Sequence, residues 1–221
     1  MLLRILMLYT DRSAFFWELF LQHVHITFLA VVVITLLGLI LGIMMTKNRW
    51  LAGLLLRLTS FLFTIPSIAL FGVLVSITGI GLRSALIAII LYGLLPMIRN
   101  TYTGLMEVDP EIMEAAVGMG STPLQLLLRI QLPLALPVIF SGFRTMVVMT
   151  IALGGIASFI GAGGLGRAIW RGISTNYAEM TIAGSLLIAL FAIVTDFILE
   201  RVERYLRTHY LGEGGTHEKT T

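Results

Sequence analysis

Residues 114–133 read EAAVGMGSTPLQLLLRIQLP, and Asp109-Pro110-Glu111 stands just before them. Together they are punctuated as two short helices. Asp109 can accept from the free first-turn amides, Pro110 suits the first helical position, and Glu111 favours the positive end of the helix dipole. Ile112, Met113, Ala115, Ala116 and Val117 continue this helix, with Glu114 the charge inside it. Gly118 and Gly120 end it, because glycine takes the left-handed geometry of a helix stop. Thr122 and Pro123 open a second helix, and Gln125 lies where a capping box needs it. Leu124, Leu127, Leu128 and Leu132 give that helix an apolar face, and Pro133 marks a turn into the next segment. The small residues of the first helix keep it slim enough to enter a groove on a partner.

On both sides of this stretch the chain is apolar. Of 221 residues, 57% are hydrophobic and 12% charged, against about 25% charged in a soluble domain. The length is therefore divided into spans of roughly 20 residues, enough to cross a hydrocarbon core. There is no cysteine, which excludes disulfides, thiolate metal sites and cysteine nucleophiles. Residues 1–22 carry Asp11, Arg12 and Glu18 within a broken apolar run. They are expected to form a surface helix and a lead-in rather than a signal peptide. Five spans are expected, at 23–46, 58–81, 84–104, 133–156 and 179–200. Pro66 and Pro96 act as tolerated kinks. The segment 107–132 is a loop, and 212–221 a polar, disordered tail. The expected fold is all-α: one polytopic integral membrane domain over 1–221.

Five spans put the termini on opposite sides. With the N-terminus outside, Lys47, Arg49, Arg57, Arg99, Arg129, Arg201, Arg204, Arg207 and Lys219 fall inside. Arg4, Arg12, Arg83, Arg167 and Arg171 fall outside. Nine against five favours this orientation, since cytoplasmic loops collect Lys and Arg. The 107–132 loop and the C-terminus are then cytoplasmic.

The spacing Glu114-Ala115-Ala116, three residues, Gly120, nine residues, Ile130, one residue, Leu132-Pro133 matches the EAA loop of ATP-binding-cassette (ABC) importer permeases at every position. The chain resembles that family from its first span to its last. The stretch IGAGGLG resembles the smaller type I permeases, such as the methionine class. The whole pattern is most similar to permeases for glycine betaine, carnitine and choline. The resemblance implies a bacterial inner-membrane subunit without catalytic residues or cofactor of its own. Glu114, Ala115, Ala116, Gly120, Ile130, Leu132 and Pro133 would couple it to cytoplasmic ATPase subunits, which bind the ATP. It further implies an extracytoplasmic substrate-binding protein and a second permease chain, identical or not, with the osmoprotectant systems leaning towards unlike pairs. The bilayer is the remaining partner, and no nucleic acid is implied.

Other residues keep two readings. Arg144, inside a span, can line the pathway, pair with a carboxylate, or snorkel to the interface; a structural role is the simpler reading. Phe61, Phe63, Tyr92 and Trp170 can offer faces to a cation or serve as packing and interfacial belts. Gly163 and Gly164 belong to a glycine cluster that reads as an external gate or docking segment, or as a tight turn. His23 and His25 lack a third ligand, which argues against a metal. Asp196, Glu200, Glu203 and the nearby arginines read as a solvated helix end with i,i+4 pairs. An ion-gradient transporter would want intramembrane carboxylates, and an intramembrane enzyme would want HExxH or GxSxG; neither motif is present.

Overall fold

In lipid, every backbone N–H and C=O must find its partner within the segment, so long apolar runs become helices. The computed structural model describes residues 1–211; the tail expected at 212–221 lies outside the described residues. The described residues hold helices and no strand. In chain order they are α1 (Leu2–Asp11), α2 (Ser13–Lys47), α3 (Arg49–Thr64), α4 (Ser67–Thr78) and α5 (Leu82–Met106). Then come α6 (Pro110–Gly118), α7 (Pro123–Leu126), α8 (Leu132–Ala157), α9 (Gly166–Ser174) and α10 (Ala178–Leu211). Four stretches are long and apolar enough to cross a membrane: Ser13–Lys47, Leu82–Met106, Pro123–Ile160 and Ala178–His209. The bent pair α3–α4 makes a fifth if it counts as one span.

At the centre lies α5, which is buried along one face from Ala85, Ala88 and Ile89 to Ile98 and Thr101. Helices α2 and α8 pack on it through small residues. A Cβ on Gly38 would stand 2.4 Å from Met97, and one on Gly142 would stand 2.4 Å from Asn100. Close approach of this kind is how helices gain dispersion contact where lipid removes the hydrophobic drive between them.

Three expectations are corrected. The expected separate lead-in over residues 13–22 is not seen; α2 is one 35-residue helix from Ser13 that contains the expected span 23–46. Its first turns therefore absorb the expected lead-in, and only α1 is separate. The apolar side of α1 (Ile5, Leu8) packs with Leu19, Leu165, Met180 and Ala183. The Tyr9 hydroxyl donates to the Ala183 carbonyl at 2.8 Å, and burial pushes its ionisation above the ordinary tyrosine value.

Second, 58–81 is not one kinked helix. Its helices α3 and α4 meet at 100°. Ile65, preceding Pro66, has φ −72° and ψ 128°, the extended state that a following proline imposes. The Tyr92 hydroxyl donates to the Ile65 carbonyl, satisfying a group that the break frees.

Third, Pro133 makes no turn. Five residues, Leu127–Gln131, form a π-helical turn, with the Leu132 amide donating to the Leu127 carbonyl. Proline lacks an amide hydrogen and crowds the carbonyl four residues back; a π turn accommodates both defects. Pro123–Ile160 is therefore one continuous 38-residue rod, and the second half of the expected loop is helical and continuous with the helix of the fourth span.

Two glycine substitutions test the packing. Gly142→Ala should lower the melting temperature of detergent-extracted protein, by the roughly 1–3 kcal/mol that overpacking costs. Gly53→Ala, inside α3 and with a Cβ that meets nothing within 4 Å, should not lower it.

Candidate functional site: a capped helix at the start of a long rod

The helix α6 is built by its caps. The Asp109 side chain accepts from the Glu111 amide at 2.8 Å. At the far end, the Gly120 amide donates to Val117 O and the Ser121 amide to Ala116 O, with Gly120 at φ +85°. That pairing is a Schellman stop, with glycine at its left-handed position. The Thr122 hydroxyl accepts from the Gln125 amide, and the Gln125 side chain returns to the Thr122 amide. Both orphan donors are thereby satisfied before the rod begins.

Of the sequence-derived coupling residues, Ala116 is buried, while Glu114, Ala115 and Gly120 are exposed. Ile130, Leu132 and Pro133 are half-buried and sit in the π turn and the first turn of α8. Met119 is 81% exposed, and Val117 and Leu124 also stand free. Ile112 enters a 320 Å³ cavity with Gly104 and Val108 at the end of α5 and with Leu134 and Val138 on α8. A small, exposed helix thus stands beside the ends of both helices that lead into the membrane, with a cavity between them.

The suggested pathway residues do not converge. Phe61 and Phe63 lie exposed on α3. Phe63 meets Tyr92 edge-on at 5.8 Å, and Tyr92 is buried, with its hydroxyl committed to the α3–α4 break. Gly163 and Trp170 do meet, at the opposite end of the rod, in an open cavity of about 880 Å³. Trp170 packs on Phe159, with ring centres 5.3 Å apart. Gly164 instead backs onto His23, where a Cβ would lie 3.0 Å from Nδ1. Both glycines have φ near +90°, so the segment is a tight turn seated on α2. Gln22 accepts from the Gly164 amide at 3.2 Å.

Residues not read from the sequence complete this end. Arg167 and Arg171 line the same cavity as Phe15 and Gln22, and neither makes an ion pair among the described residues. Arg171 lies 5.7 Å from the Phe15 ring centre. Their i,i+4 spacing on α9 was the available signal. His23 is fully buried, with Nε2 at 3.0 Å from the Ile151 carbonyl. No group of three metal-ligating side chains occurs among the described residues.

Arg144 does pair with carboxylates. Its guanidinium grips Asp196 at 2.6 and 2.9 Å and reaches Glu203 at 3.1 Å. The expected i,i+4 pairs Glu200–Arg204 and Glu203–Arg207 are also formed, at 2.7 and 3.3 Å. The reading of this helix end as merely solvated is corrected, since Glu203 is buried.

A family model described as "binding-protein-dependent transport system inner membrane component" matches residues 34–208. The chain belongs to that family. Its osmoprotectant relatives include OsmW, an osmoprotectant import permease of Salmonella typhimurium, 43% identical and covering 87% of this chain and 92% of that one. OpuCD, a glycine betaine/carnitine/choline permease of Bacillus subtilis, is 36% identical over 90% and 87%. EgtU of Helicobacter pylori, an ergothioneine transport permease and binding protein, is 45% identical over 72% of this chain and 29% of its own length. Among solved structures, the inward-facing methionine transporter MetNI shares the fold, with TM-score 0.74 and 22% identity over 86% and 95% of the two chains. The chain is a permease subunit of an ABC importer.

Removing a cap tests the local design. Thr122→Ala should speed amide hydrogen exchange in α7 about fivefold, the effect of losing roughly 1 kcal/mol of capping. Exchange in the middle of α8 should not change.

Proposed function

We propose that this subunit imports small solutes bearing a quaternary ammonium group, such as glycine betaine, choline or carnitine, and that α6 is its coupling helix. Osmoprotectant, glycine betaine, carnitine, choline and ergothioneine stand in the relatives' names; the named compounds each carry a trimethylammonium group. The observation that carries the coupling reading is the continuity of the exposed, capped 110–126 segment with the rod Pro123–Ile160. A helix pressed at one end by a partner displaces its whole length, so closure of ATPase subunits around α6 would move α8 within the membrane. ATP is then bound and hydrolysed by those separate subunits, and this chain needs no cofactor.

The remaining partners follow. The α9 cavity, with Arg167 and Arg171 uncompensated and three aromatic rings around them, is the place where an extracytoplasmic binding protein would deliver cargo. The nine-to-five distribution of Lys and Arg over five spans supports the reading in which this cavity and the N-terminus lie outside, and α6 and the C-terminus in the cytoplasm. A second permease chain, identical or a sister, completes the pathway. A second reading, import of amino acids, draws only on the fold shared with the methionine transporter.

Two variants and a competition test this. Glu114→Lys and Gly120→Pro should reduce uptake at least tenfold in membranes where the chain still inserts and folds. Normal uptake by both would sink the coupling role. Labelled glycine betaine uptake should be competed by carnitine and choline and not by methionine; competition by methionine alone would favour the second reading.

A further inference from the structure

The second half of α10 is held in an unusual way. Beyond Gly184, the only buried residue among the described positions of α10 is Glu203. Ile193, Val194, Phe197 and Ile198 are all exposed. Half-buried Phe191, Ala192 and Leu199 pack against the core there, and the polar tie between this half and α8 is Arg144. Nε and Nη2 hold the two oxygens of Asp196, Nη1 holds Glu203, and Nη2 also lies 3.5 Å from Glu200. Arg204 and Arg207 complete the cluster, so three guanidiniums face three carboxylates. A bidentate fork fixes orientation as well as distance. Ionisable side chains in spans must be paired or face water, so breaking this contact is strongly disfavoured.

Arg144 stands on the same unbroken rod that starts at Pro123. We propose that Arg144 is a positioning residue for transport: its fork makes the second half of α10 travel with α8 when the rod is displaced from its α6 end. This rests on the coupling reading of 110–126 and extends it to the last span. Without the fork, displacement of α8 would slip past α10, and ATP would be hydrolysed with less cargo moved.

The test uses the whole complex, with its ATPase and binding protein, in proteoliposomes. Arg144→Lys keeps the charge and loses the fork. Arg144→Met with Asp196→Leu removes both charges. Replacing both members of this part-buried pair together leaves neither charge without its partner, and Glu200 and Glu203 retain Arg204 and Arg207. Spin labels at Leu128→Cys and Ile198→Cys, in a chain without native cysteine, report the distance from the start of the rod to the second half of α10.

In the parent, that distance should be the same with and without vanadate-trapped nucleotide. In either variant it should shift and broaden on trapping, while labelled glycine betaine moved per ATP falls roughly fivefold or more, the usual scale of coupling between sites. Variants that keep the parental distance in both states and the parental uptake per ATP would overturn the proposal, reducing Arg144 to charge balance. If the double variant fails to insert, Arg144→Lys decides alone by the same criteria. Absent uptake by the parent would count against the cargo assignment only, because the label distances need no cargo.

Discussion

The Leu132 amide donates to the Leu127 carbonyl, five residues back, one residue ahead of Pro133. That single shift in hydrogen bonding is what the rest of the structure depends on. A proline in an ordinary α-helix clashes with the carbonyl four residues earlier and kinks or breaks the helix. Here the extra residue of a π turn makes room for it. The 123–131 segment and the span that follows therefore stay one continuous helix. Without that accommodation, α6 and α7 would be a hinged appendage, and force applied to them would be lost in bending at residue 133.

Around the rod, each contact serves either to guide it or to extend its reach. Gly142 lets it slide close to α5 at Asn100. Ile112 of α6 lines a cavity together with the ends of α5 and α8. Arg144 carries it across to α10. At the far end, the Gly81 amide donates to the Ile160 carbonyl at 2.8 Å, and Gln22 grips the glycine turn. The α9 cavity thus sits on the end of the element that the coupling segment begins. On the proposed reading, the path from a nucleotide-driven contact on one side to a cargo mouth on the other runs largely along one helix.

Much of the site was legible in the sequence because it is local. The caps at Asp109, Gly120 and Thr122 depend on residues within one turn of each other, and the structure forms all three. The apolar runs likewise become helices because lipid permits little else. What failed to show was set at long range. Pro66 announces an extended Ile65, but the 100° bend is held by Tyr92, 27 residues on. Arg144 announces a charge needing a partner, but Asp196 is 52 residues away and sat in what read as a solvated helix end. Pro133 was read by its usual habit of turning a chain, and no single residue type marks a π turn. His23, without a motif, gave no sign that it would be sealed under Gly164 and against Ile151.

The central claim is that α6 is the contact through which ATP closure drives the rod. It is tested most directly by placing a photo-crosslinking residue at Met119, the most exposed large apolar side chain of that segment at 81%, and irradiating native membranes. The expected result is one dominant adduct containing an ABC ATPase subunit, strengthened or weakened by trapped nucleotide. No adduct with an ATPase in membranes where transport is active would contradict the account.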